Sequence, residues 1–279
     1  MKISLAVPSL NYGRYLRACL ESVRTQTHGD FEVLIADGGS TDDSRAIIDE
    51  YVALDSRFRL VSTSDDGQAE AVNRALAAAS GEIHGYLNSD DQFLCNDAFE
   101  AIVSAFTHYP DMELVSFRGW YISEEGRPLR PIELRFSPRD NFGWMKRRTA
   151  VVQPATLWRS SVTTRFPFRG PMHYSFDSWF FYEAFSTFSW MEFEKPIAGM
   201  RAHPMNKSIQ VIPARINEIA ALEAFKYGAG SWRSRYVYAV SLLVGAVGKV
   251  PVIGARLRRL VYLANNSIAY LSYYRLPGI

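Results

Sequence analysis

Along the first ninety residues, two hydrophobic periods take turns. Ile3–Val7 is a short, mainly apolar run closed by Pro8, the pattern of a buried strand. Arg14–Arg24 then has helical spacing, with Leu16, Leu20 and Val23 on one stripe. Phe31–Ala36 is a second strand, stopped by Asp37-Gly38-Gly39. Ser40 or Thr41 can cap the next helix, and Asp42 and Asp43 fall in its first turn, where the helix dipole favours acids. Arg59–Ser62 reads as a third strand and Gln68–Ala79 as an alanine-rich helix punctuated by Gly81. Ile83–Leu87 is a fourth strand that runs into Asn88-Ser89-Asp90-Asp91. Strands alternating with helices require crossovers, which predicts an α/β fold with a mostly parallel sheet flanked by helices.

Further along, Leu114–Ile122 with a turn at Glu125-Gly126-Arg127 reads as a hairpin reaching Ile132. Val152–Arg159 reads as a strand, Phe176–Phe188 as an aromatic-rich helix and Ile197–His203 as a final strand. Ile216–Tyr227 has helical spacing, and Tyr236–Tyr273 is an apolar tail dotted with basic residues. The division expected is 1–212 as one domain, with halves 1–110 and 111–212, and 213–279 as a helical extension.

Composition narrows the function classes. With 279 residues, 48% hydrophobic and 22% charged, the chain can bury a sizeable core, which argues against long disorder. A formal net charge of +2 argues against a nucleic-acid partner. Cys19 and Cys95 make neither a disulfide framework nor a zinc cluster. The chain opens on its first strand, without a charged leader and cleavage site, so the expected location is cytoplasmic. Lys249 and Pro251 interrupt the apolar run Tyr236–Gly254, which falls short of the ~20 residues of a membrane helix. Arg256, Arg258 and Arg259 alternate with leucines there. Segment 236–263 therefore reads either as a peripheral contact with anionic lipid on the inner face of the cell membrane or as ordinary helices covering the core.

The candidate chemistry lies in three acidic loops. In open α/β sheets ligands bind beyond the carboxyl ends of the strands. Asp37, Asp65-Asp66 and Asp90-Asp91 each follow a strand at that end. Adjacent carboxylates repel one another unless a cation or water neutralises them. Mg2+ and Mn2+ are commonly held by one or two carboxylates plus substrate phosphates. Taken alone, Asp90-Asp91 is equally compatible with a helix N-cap. Asp37 can accept a hydrogen bond from a base or ribose, or cap a turn. The glycines match neither the dinucleotide fingerprint nor a P-loop, which counts against dehydrogenase and NTPase readings.

In combination, Val7-Pro8-Ser9-Leu10-Asn11, Asp37-Gly38-Gly39-Ser40-Thr41-Asp42, Asp66-Gly67-Gln68-Ala69-Glu70-Ala71-Val72-Asn73, Gly81-Glu82-Ile83 and Asn88-Ser89-Asp90-Asp91 resemble, in order and spacing, the family 2 glycosyltransferases of GT-A fold. The resemblance is strong over the first ninety residues and looser to about residue 210. It implies transfer of a sugar from a nucleotide-diphosphate donor, usually a UDP-sugar, to a saccharide or lipid-linked acceptor in surface polysaccharide assembly. It implies that Pro8, Ser9, Asn11, Asp37, Asp66, Gln68, Asn73 and Asp90 bind the donor, with Asp37 at the base. Asp91, joined by Asp90 and His203, would hold a divalent Mn2+ or Mg2+. Glu70 departs from the aspartate of many relatives.

In the second half, Tyr174-Ser175-Phe176-Asp177-Ser178-Trp179-Phe180 resembles the family segment that carries the general base, which implies that role for Asp177, with Glu183 next in line. Gln153-Pro154-Ala155-Thr156 with Trp158 resembles the strand lining the acceptor cleft. Met200-Arg201-Ala202-His203 and Lys207-Ser208 resemble the segment near the diphosphate, where Arg201 and Lys207 would face phosphate. Trp120, Trp144, Trp158 and Trp179 can stack on sugars, but such rings also fill cores. The rival readings are an inactive nucleotide-sugar-binding module, an oxidoreductase and a scaffold protein.

Overall fold

The computed structural model describes residues 1–64, 67–132, 151–170 and 172–206, with isolated positions between 217 and 239. Asp65, Asp66, Trp144, Lys207 and, apart from Ala239, segment 236–263 lie outside the described residues. One compact unit comprises Met1–Leu134 and Thr149–His203; the other comprises Arg135–Arg148 and Pro204–Ile279. No described helix is long and apolar enough to cross a membrane.

Four parallel strands form one half of the sheet in the first unit: β1 (Ile3–Ser9), β2 (Phe31–Asp37), β3 (Phe58–Ser62) and β4 (Ile83–Tyr86), in the order β3-β2-β1-β4. Every residue of β1, β2 and β4 is buried, as expected of strands covered on both faces. The crossovers are helices α1 (Gly13–Arg24), α2 (Ser44–Leu54) and α3 (Gln68–Ala77). Helix α1 buries Tyr15, Leu16, Cys19, Leu20 and Val23, one stripe at three- and four-residue spacing. The alanines of α3 let it lie close over β1 and β2.

The second half adds β5 (Gln92–Phe93), α4 (Ala98–His108), β6 (Leu114–Ile122), β7 (Pro128–Pro131), β8 (Thr156–Arg159), α5 (Ser160–Arg165), α6 (Phe176–Thr187) and β9 (Trp190–Arg201). The nine-stranded sheet runs β3-β2-β1-β4-β8-β6-β9-β5, and β7 pairs with β6 off this path. Antiparallel pairing begins where the halves meet, at β4–β8, and continues at β8–β6, β6–β7 and β9–β5.

Three boundaries differ clearly from the sequence pattern. Strand β8 starts at Thr156, not Val152, because Gln153–Ala155 forms a 3-10 turn with Pro154 in it. Asp90 and Asp91 do not open a helix: β5 follows them, and α4 starts only at Ala98. This removes the helix-cap alternative for the pair. Strand β9 begins at Trp190, seven residues before the apolar run at Ile197 that marked it in the sequence. Glu192 and Glu194 make its first half polar, and both pair with Arg118 of β6.

Glu32 shows how the parallel half manages a buried charge. Burial alone would raise its pKa. Ser4 Oγ donates to Oε1 at 2.7 Å, the Ser80 N–H and Oγ donate at 2.7 and 2.8 Å, and Lys2 and Arg59 lie at 3.5 and 3.2 Å. These partners overcome the burial, and the pKa falls from 4.5 to about 2. A carboxyl with a depressed folded pKa stabilises the protein above its unfolded value, and the contribution fades as pH drops through the folded value. We expect Glu32→Gln to cost about 1–3 kcal/mol at pH 7. Urea unfolding should show the variant and wild type converging as pH falls from 4.5 towards 2.

Candidate functional site

Strands β1, β2 and β4 end on one rim. Ser9 is in register with Asp37, and the Leu87 N–H donates to the Ala6 carbonyl. The loops leaving β1 and β2 are stitched together. Asn11, at φ 57°, occupies the left-handed region that asparagine tolerates. Its Oδ1 accepts the Thr41 N–H at 2.8 Å, and its own N–H donates to Ser40 Oγ at 2.9 Å. Asp37, 2% exposed, accepts from Ser40 Oγ at 2.5 Å and the Ser40 N–H at 3.0 Å. The Gly13 N–H donates to Asp42 Oδ2 at 2.9 Å. Pro8 offers its carbonyl to Ser89 Oγ at 2.6 Å, and the hydroxyl of Ser9 is buried without a partner.

Beyond β4 lies the acidic loop. Asp90 and Asp91 are 8% and 3% exposed. Asp91 Oδ1 accepts the Arg201 N–H at 2.9 Å, and Asn88 Nδ2 lies 3.3 Å from Oδ2. Asn88 is itself held: Gln68 Nε2 donates to its Oδ1 at 2.6 Å, and its Nδ2 donates to Gln153 Oε1 at 3.0 Å. Gln153 Nε2 donates in turn to the Tyr86 carbonyl at 2.6 Å. On the other side, His203 Nε2 is 3.0 Å from Asp90 Oδ2, while Nδ1 is buried and unpartnered. The imidazole sits beside Tyr12 and Tyr15, with ring centroids 5.9 and 4.8 Å away.

The electrostatics of this loop are unfavourable to its own charges. Burial, and then the neighbouring Asp90 charge, push the Asp91 carboxyl well above the usual carboxylate range. Burial, then Asp90 and Asp91, also raise the Tyr12 phenol. A cation would relieve all of these. Two carboxylates and an imidazole are donors that Mg2+ and Mn2+ accept. Among the described residues no three His, Cys, Asp or Glu side chains already stand in metal-binding geometry. The two carboxylates and the imidazole would therefore supply only part of a cation's ligand set.

Asp177 occupies the first turn of α6, half-buried, and its Oδ1 accepts the Ser178 N–H at 2.6 Å. The buried Tyr86 phenol is raised by burial, then by the charges of Asp177 and Asp91. Both carboxylates thus act on one ring at the end of β4. Glu183 is engaged elsewhere, 2.6 Å from Arg169 Nη2.

Other expected site residues are placed differently. Trp158, expected at the acceptor cleft, is fully buried: its Nε1 donates to Thr163 Oγ1 at 2.6 Å and its ring packs on Phe168, Phe180 and Phe181. Trp179 is also buried, under the Arg169 guanidinium at 4.3 Å, and Trp120 is half-buried on β6. Asn73, expected at the donor, clamps the Phe168 backbone, donating to its carbonyl at 2.7 Å and accepting its N–H at 2.9 Å. Glu70 pairs with Arg74 at 3.1 Å. The sequence reading left Asn88, Tyr12 and Tyr15 out of the site. Asn88 carried a usable signal, an amide two residues after a fully buried strand.

Comparison with known proteins completes the picture. The family model described as Glycosyl transferase family 2 matches residues 4–167. The chain is 36% identical over 124 residues to chondroitin synthase of Escherichia coli, an alignment that covers 44% of this chain and 18% of that one. The chain spans less than half the length of the first curated relatives it matches. Among solved structures it resembles residues 1–349 of S. aureus TarS in complex with UDP-GlcNAc, with a TM-score of 0.64, 17% identity and coverage of 95% of this chain and 87% of that one. It also resembles the mannosyltransferase PcManGT of Pyrobaculum calidifontis in complex with GDP-Man and Mn2+, with a TM-score of 0.62, 16% identity and coverage of 98% and 81%. These likenesses show a GT-A-type fold.

Proposed function

The chain belongs to glycosyl transferase family 2, and from that premise we propose that it transfers a sugar, with inversion, from a nucleotide-diphosphate donor to a saccharide or lipid-linked acceptor in surface polysaccharide assembly. The observation that carries this reading is the buried Asp90–Asp91 pair, set against His203 on the rim where β1, β2 and β4 end. The UDP-GlcNAc bound to TarS supports a uridine nucleotide as the donor.

In this proposal Pro8, Ser9, Asn11 and Asp37 receive the nucleoside, with Asp37 at the base. Gln68 and Asn73 shape that pocket through Asn88 and the Phe168 backbone. Asp66 and Lys207 stay in the proposed donor and phosphate contacts. Asp91, Asp90 and His203 would hold Mn2+ or Mg2+, as the Mn2+ in the PcManGT complex supports. The cation would supply positive charge to the departing diphosphate. Asp177 takes the proton of the acceptor hydroxyl as its oxygen attacks the anomeric carbon, and the bond from that carbon to the diphosphate oxygen breaks. Attack from the face opposite the leaving group inverts the anomeric centre. The division at residue 212, the inner-membrane location and the lipid contact of 236–263 belong to the same proposal. Equal pelleting with liposomes by the full chain and by a chain lacking 232–279 would remove the lipid contact.

Calorimetric titration with UDP, with and without Mn2+, tests the donor site. Release of UDP from a panel of nucleotide-sugars tests turnover. Mn2+-dependent binding with turnover is expected. Binding without turnover on any donor would identify an inactive nucleotide-sugar-binding module, and no Mn2+-dependent binding would remove the reading.

A further inference from the structure

Arg201 was expected to face the diphosphate. Its side chain is instead turned into the protein, and the residue is 2% exposed. The Nε donates to the Asp90 carbonyl at 2.7 Å. Nη1 donates to the Ser123 and Glu124 carbonyls at 3.0 and 2.6 Å, and Nη2 donates to Gln92 Oε1 at 2.7 Å. The main-chain N–H of the same residue holds Asp91 Oδ1 at 2.9 Å. One residue therefore grips Asp90 by its backbone, Asp91 by its carboxylate and Gln92 by its amide.

The far side of this grip is also anchored. Arg201 pairs with Ile122 at the end of β6, and Ser123 and Glu124 begin the turn towards β7. Glu124 Oε2 lies 3.1 Å from the Tyr15 hydroxyl and 2.5 Å from Arg14 Nη2. The guanidinium lies 5.1 Å from the centre of the Tyr15 ring, and that ring also packs on His203. Gly126 closes the turn at φ 83°, where a Cβ would come within 2.9 Å of Gln92 Oε1. The turn thus fits tightly over the Gln92 amide that Arg201 binds.

We infer that Arg201 is a positioning residue, which locks the 123–126 turn onto the 90–92 loop and so presets the Asp90–Asp91 carboxylates for a cation, rather than a phosphate contact. A planar fork bonds several acceptors at fixed angles, and a lysine ammonium at the same place cannot reproduce them. The inference rests on the proposed metal–nucleotide reading of the site.

The test is Arg201→Lys, with Gln92→Ala as the milder variant that removes one arm of the grip. Three quantities are read: Mn2+ affinity in the presence of UDP, by electron paramagnetic resonance; uridine and UDP affinity without metal; and amide exchange across residues 88–92 in the ligand-free protein. Arg201→Lys should weaken Mn2+ binding by about 10–100-fold, the range for outer partners of metal ligands. It should leave metal-free uridine and UDP binding unchanged and speed exchange at 88–92. Gln92→Ala should shift the same quantities several-fold less. Equal loss of UDP affinity with and without Mn2+, uridine being unaffected, is the signature of direct phosphate contact and overturns the inference. So does wild-type Mn2+ affinity in Arg201→Lys or, if that variant does not fold, in Gln92→Ala. Failure of the wild-type protein to bind Mn2+ with UDP would count against the metal–nucleotide reading, and exchange at 88–92 would then decide the positioning claim alone.

Discussion

Asp91→Asn should abolish Mn2+-dependent UDP binding while leaving the ligand-free protein as stable as wild type or more so. The two effects share one cause. In the ligand-free protein the Asp91 charge is buried beside a second carboxylate, which holds its pKa well up. Asparagine keeps an oxygen to accept the Arg201 N–H and discards that unfavourable charge, which outweighs setting its amide nitrogen against Asn88 Nδ2, a long contact of 3.3 Å in the wild type. The same charge is what a cation needs. Losing it should weaken Mn2+·UDP binding by about 100-fold or more, above the range for an outer partner. Thermal unfolding without ligand and titration with Mn2+ and UDP check both halves. A variant that melts much lower than wild type would mean that Asp91 serves stability instead of binding.

The second large effect concerns chemistry alone. Asp177→Asn should lower kcat by about 10²–10⁴-fold, the usual contribution of a positioned general base. Its Oδ1 can still accept the Ser178 N–H, so the start of α6 should persist. Asp177 lies outside the Asp90–Asp91–His203 cluster, so UDP and Mn2+ affinity and the donor KM should not change. Turnover near wild type would move the base elsewhere. Glu183 is the next residue to test, although its ion pair with Arg169 already occupies it.

The sequence spoke most clearly where two-sided burial sets the pattern. Strands β1, β2 and β4 are buried throughout, so their apolar runs stand out between glycine- and aspartate-rich turns. The acidic loops at Asp37 and Asp90-Asp91, which follow β2 and β4, were legible for the same reason. Residues whose place depends on partners far along the chain were harder to read. Helix α4 buries Ala98, Phe99, Ile102, Ala105 and Phe106 at helical spacing, but Asp97 at its start, with Glu100 three residues on, follows so soon after Asp90-Asp91 that two acidic start signals compete. The polar half of β9 is a strand because Arg118, 74 residues upstream of Glu192, pairs with it, and only the sheet brings the two together. Trp158 and Arg201 show the same limit at the site. A tryptophan and an arginine near a sugar–phosphate motif suggest stacking and charge neutralisation, and only the packing shows one filling the interior and the other gripping main-chain carbonyls.

Sugar transfer at this rim requires a cation beside Asp91 that draws a nucleotide diphosphate to it. Crystals soaked in UDP and Mn2+, measured for anomalous scattering from manganese, test that directly. The expected map has a manganese peak beside the Asp91 carboxylate and UDP on the same rim, with uracil towards Asp37. Bound UDP with no manganese at Asp91, or manganese elsewhere and the rim empty, would contradict it.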